Sequence, residues 1–127
     1  MFQNLIQGFA IADGLTNLQR YNVVSQIAQL ELGHAKAKRY AAINTIKKAS
    51  RLSDDKKDSL FGYFSENMQR VLTCVSKLNK EMIIQLFISP NQDKKWWEAL
   101  CSKTTFYKRR KEMVDEFIFY YFSNYDN

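Results

Sequence analysis

The side chains best suited to chemistry in this chain are cations interleaved with hydroxyls and a phenol. Residues 103–111 read KTTFYKRRK, five bases with no acid among them. Lys103, Thr104, Thr105, Tyr107 and Lys108 are the kinds of groups that reach base edges. Arg109, Arg110 and Lys111, with Lys94 and Lys95 upstream, are the kinds that hold phosphates. A solvated helix face accounts for the same run on charge alone. Nucleophilic and metal chemistry is poorly provided for. Cys74 and Cys101 stand apart with no C-x-x-C spacing, and His34 is the single histidine. A structural zinc site takes four such ligands, and the chain holds three candidates in all. No G-x-G-x-x-G, G-x-x-x-x-G-K, H-E-x-x-H or G-x-S-x-G pattern occurs. The expectation is therefore binding and not catalysis, with no cofactor and no metal.

Binding by such a run needs a helix to present it. Ser102 stands where an N-cap belongs, and Phe106, Met113 and Phe117 then recur at helical spacing, which predicts a helix over about 103–123 with an inward stripe. Upstream, Trp96, Trp97 and Leu100 give a short helix over about 92–100 its apolar side. A short supporting helix, a tight turn and a second helix form the layout of a helix-turn-helix. The major groove, about 12 Å wide, admits one such helix, whose first turns reach the bases.

The stretch Ser102-Lys-Thr-Thr-Phe-Tyr-Lys-Arg-Arg-Lys resembles the S-K-x-T-x-Y-R recognition-helix signature of sigma-factor region-4-like domains. It resembles more closely the C-terminal part of phage late-gene transcription activators of the ArpU/RinA type, and small mollicute proteins of unknown role have a similar tail. The resemblance covers about residues 77–122. It implies a transcription regulator that binds double-stranded DNA. By position, Lys103, Thr104, Tyr107 and Lys108 would face DNA, while Phe106 and Met113 would pack inside. Region-4-like helices also bind RNA polymerase. A non-catalytic helical module docking on another protein, such as the polymerase, is thus the alternative.

The rest of the chain must supply the scaffold. With 127 residues it is one domain by size; 46% hydrophobic and 25% charged residues are a foldable composition. One Pro and four Gly leave little turn punctuation, so the fold class is all-α, a helical bundle ending in the helix-turn-helix. Spacing predicts a short helix over 3–12 and a long one over about 15–49, which Gly33 kinks or splits. Ser53 with Asp54 and Asp55 predicts the start of a third, carrying Leu60, Phe61, Phe64, Met68, Val71, Leu72 and Val75. Asn79 reads as the next cap, and Pro90 as the clearest break. Residues 1–78 would then pack and dimerise, and 79–123 would carry the motif; a homodimer is expected, because paired half-sites supply the specificity one small helix lacks.

Nineteen bases against thirteen acids give a net charge of +6, a footprint suited to an acidic partner. Lys36, Lys38, Arg39, Lys47 and Lys48 form a second acid-free cluster, able to extend a phosphate footprint if the long helix lies beside the motif. His34 reads as a polar surface residue. No apolar run approaches the roughly 20 residues of a membrane span, and the first residues do not read as a signal peptide. Two unpaired thiols suit the reducing cytoplasm. Phe117, Phe119, Tyr120, Tyr121, Phe122 and Tyr125 crowd the end of the sequence too densely for one buried stripe, so part of the set is expected at the surface or against a partner.

Overall fold

A computed structural model describes residues 14–49, 60–89 and 96–123, and within them every side chain except those of 46–49. The expected helix over 3–12, the Ser53-Asp54-Asp55 cap, Pro90, Lys94 and Lys95 lie outside the described residues. The fold is all-α, with four α-helices and no strand among the described residues.

The first, α1 (Asn17–Ala49), is 33 residues long. It opens on a reciprocal capping box: Gln19 donates its backbone N–H to Thr16 Oγ1 (3.1 Å), and Thr16 donates its own to Gln19 Oε1 (2.9 Å). Gly33 neither stops nor splits α1. Among the described side chains of α1, Val24, Ala28 and Ala35 are buried, two of them small enough to let a neighbouring helix approach closely. None of the described side chains from 36 to 45 is buried, so the second half of α1 contributes only at the margin of the core.

A 3₁₀ turn (Leu60–Tyr63) leads into α2 (Glu66–Cys74), so the expected single helix through 60–75 is interrupted at Phe64 and Ser65. The reason is local: Ser65 leaves helical geometry (φ −65°, ψ 164°) and accepts the backbone N–H of Met68. Next comes α3 (Lys77–Ile83), capped by Ser76 and not by Asn79. The Asn79 backbone N–H donates to Ser76 Oγ at 3.3 Å, which puts Asn79 inside the first turn. A π-helical turn (Ile84–Ile88) extends α3 and closes with the Ser89 N–H on the Ile84 carbonyl at 2.8 Å. A second 3₁₀ turn (Trp96–Ala99) precedes α4 (Lys103–Tyr121), and is all that the described part of the expected 92–100 helix contains.

One hydrophobic cluster draws on all four helices, with Val24, Met68, Ile83 and Phe117 among its residues. The last helix packs against each of the other three. Its N-terminal half meets the start of α1, and its C-terminal half meets Glu31. The two long helices therefore run side by side in the same sense, joined by an Arg20–Asp115 ion pair at 2.5 Å and a Tyr121–Glu31 hydrogen bond at 2.6 Å.

Neither short helix has an acid at the position where a local capping box would put one, since Met68 and Asn79 stand there. A carboxylate from a long helix does the work instead. Glu31 of α1 accepts from the Ser65 N–H (3.2 Å) and the Ser65 hydroxyl (2.6 Å). Glu116 of α4 accepts from the Ser76 N–H (3.0 Å) and the Asn79 side-chain amide (2.7 Å).

Candidate nucleic-acid interface

The basic run occupies the first half of α4. Ser102 is extended (φ −75°, ψ 165°), accepts the Thr105 backbone N–H at 3.2 Å, and donates its hydroxyl to Thr105 Oγ1 at 3.0 Å. The cap stands where the sequence puts it, and it commits Thr105 to the turn. The approach to the cap is tight without any residue at positive φ: the N–H groups of Leu100 (2.9 Å) and Cys101 (3.1 Å) both return to the Trp97 carbonyl.

Phe106 anchors this end of the helix. It is buried, with Trp97 stacked on it at 4.5 Å between centroids and Trp96 set edge-on at 6.2 Å. The two tryptophans are half-buried struts for the helix start. Leu100 does not share that work. It is 76% exposed and no part of the apolar support expected of it. Met113 and Phe117 are fully buried, as the stripe requires.

Outward from this anchor, Lys103, Thr104, Lys108, Arg109 and Lys111 are exposed, and Tyr107 is partly so. Thr104, Lys108 and Lys111 fall on one helical stripe, with Lys103 and Tyr107 on the stripe nearer α1. Lys111 is tied at 3.2 Å to Asp115, one turn on, which also takes Arg20. Arg110 differs from the others: its side chain is half-buried, and its guanidinium lies 4.0 Å from the Tyr21 ring centroid and 4.8 Å from that of Tyr107. Burial pushes the Tyr21 phenol above its ordinary range, and the positive charge of Arg110 offsets part of that rise.

Two hollows flank the helix start. One, of about 310 Å³, lies between α1 and α4 and is lined by Asn17, Tyr21, Tyr107, Lys108, Arg110 and Lys111, with Val114 at its floor. Asn17 and Tyr21 are site residues that sequence reasoning missed; no local signal marks them, because Tyr21 sits in an apolar pattern and reads as core. The other, of about 300 Å³, is apolar, formed chiefly by Leu78, Met82, Trp96, Trp97, Leu100 and Phe106, with Glu81 and Arg109 at its edge.

The second basic cluster does not join the first. Tyr21 lies beside Arg110 and Glu31 beside Tyr121, so Lys36 to Lys48 continue beyond the far end of α4, about 20–40 Å along α1 from Tyr21. His34 is exposed. Among the described residues no three His, Cys, Asp or Glu side chains converge as metal ligands, and no helix is long and apolar enough to cross a membrane. No family model, curated protein or solved structure matches the chain.

Proposed function

We propose that the chain is a cytoplasmic DNA-binding regulator of transcription that lays the first half of α4 in the major groove. The observation that carries this reading is the exposed face of Lys103, Thr104, Tyr107, Lys108 and Lys111 on a helix start fixed by the Ser102 cap and the Trp97–Phe106 stack. A rigid helix presenting cations and hydroxyls from its first turns is what groove readout requires. Lys103, Thr104, Tyr107 and Lys108 would meet base edges, while Arg109, Arg110 and Lys111 would hold the backbone. A homodimer would place two such helices on paired half-sites. The apolar hollow beside Trp96 and Leu100 favours a second reading, a helical adaptor that docks on another protein such as RNA polymerase.

Fluorescence-anisotropy titration against random duplex DNA at 50 and 200 mM salt tests the first reading. Each phosphate contact loses about 3.5-fold in affinity between the two conditions, so three to five contacts give a loss of about 40- to 500-fold. No binding at 50 mM would overturn the DNA reading and turn attention to polymerase pull-downs.

A further inference from the structure

Arg110 is the one cation of the run that packing holds in place. Two aromatic rings flank its guanidinium, at 4.0 and 4.8 Å, and no hydrogen-bond acceptor or carboxylate meets it among the described residues. Cation–π attraction holds the guanidinium without supplying a hydrogen-bond acceptor for its N–H groups. Arg110 lines the hollow, as do Lys108 and Lys111, and Asn17, Tyr21 and Tyr107 add an amide and two phenols to its wall. The nearby Asp115 carboxylate is already shared by Arg20 and Lys111.

We propose that this hollow between α1 and α4 is a seat for one phosphate group, gripped by the fork of Arg110 and flanked by Lys111. A flat fork held against two rings loses little freedom on binding and suits paired phosphate oxygens, whereas mobile surface lysines act as point charges. The proposal rests on the DNA-binding reading for its source of phosphate, a backbone phosphodiester. It adds the start of α1, through Asn17 and Tyr21, to the interface. The anchored phosphate then fixes how far α4 slides along the groove, a positioning task that the base-facing side chains do not perform.

The test has two arms on the full chain. In the first, inorganic phosphate is titrated into the ¹⁵N-labelled protein with sodium chloride at matched ionic strength as control. The Arg110 Nε–H signal and the Tyr21 and Tyr107 resonances are expected to shift with phosphate and not with chloride. In the second, random duplex is titrated against Arg110→Gln and Arg110→Lys. Arg110→Gln should weaken binding about tenfold and lower the salt slope by about 1. Arg110→Lys keeps a cation over the rings and should keep the slope while still losing affinity, and it carries the test if Arg110→Gln fails to fold. Phosphate shifts without any duplex binding would keep the seat, assign it to a free phosphoryl ligand and sink the DNA reading. Duplex binding with no phosphate shift and unchanged Arg110 variants would overturn the seat and leave the DNA reading standing. Arg110→Lys equal to the parent in affinity would overturn the grip by the fork.

Discussion

Removing Glu31 should do more damage than its half-exposed position suggests. Its carboxylate accepts the Ser65 hydroxyl and the Tyr121 hydroxyl, each at 2.6 Å, and the Ser65 backbone N–H at 3.2 Å. Hydrogen bonds to a charged group contribute about 1.5–3 kcal/mol each. Counting the two short ones, and allowing the freed Ser65 groups to find water, Glu31→Ala should cost about 3–5 kcal/mol. That is a large part of the roughly 5–15 kcal/mol that keeps such a domain folded. Glu31→Gln retains an acceptor for Tyr121 and should cost about 1–2 kcal/mol. Urea unfolding measures both, provided the slope m is unchanged, so that the midpoint reports stability. A double-mutant cycle with Tyr121→Phe then isolates the α1–α4 bond and should show about 1.5–3 kcal/mol of coupling. If Glu31→Ala costs under about 1 kcal/mol, or the cycle is additive within ~0.5 kcal/mol, Glu31 does not hold the helices together as argued.

The triple variant of Lys103, Tyr107 and Lys108 to alanine should keep its helical circular dichroism while DNA affinity falls; loss of helicity would show that these side chains support the fold. Ser102→Ala removes the α4 cap and should lower stability by about 1 kcal/mol in the same urea assay. Gly33→Ala should raise it by about 0.5–1 kcal/mol, because a Cβ there meets nothing within 4 Å and the backbone is already helical. Burial first, then the Glu31 carboxylate beside it, pushes the Tyr121 phenol above its ordinary range. A folded value raised above the unfolded one near 10 means stability fully present below about pH 10 and lost as pH climbs beyond it. Stability measured from pH 9 to 12 should therefore fall less steeply in Tyr121→Phe than in the parent.

The all-α class was legible because apolar residues recur at threes and fours over long stretches with one proline to interrupt them. The Ser102 cap and the Phe106–Met113–Phe117 stripe were legible for a related reason: each is completed within about four turns of its own helix. The caps at Ser65 and Ser76 were not, since the acids that complete them, Glu31 and Glu116, stand 34 and 40 residues away. Spacing rules see only the acids nearby, which favoured Ser53 with its two aspartates. Leu100 went astray because a 3₁₀ turn does not carry the α-helical stripe to that position. The α1 side of the candidate site was hidden for a similar reason, as Tyr21 meets Arg110 only once the two long helices lie parallel.

The remote caps on α2 and α3 also bear on how the chain folds. Helices of nine and seven residues are too short to persist alone in water. Here even their first turns are completed by groups that arrive with α1 and α4. Each short helix completes its native first turn only on docking with the long helix that supplies its acid, α1 for α2 and α4 for α3, so local order and long-range docking are coupled. Hydrogen exchange of the amides in α2 should therefore report on its docking with α1, and that of the amides in α3 on its docking with α4.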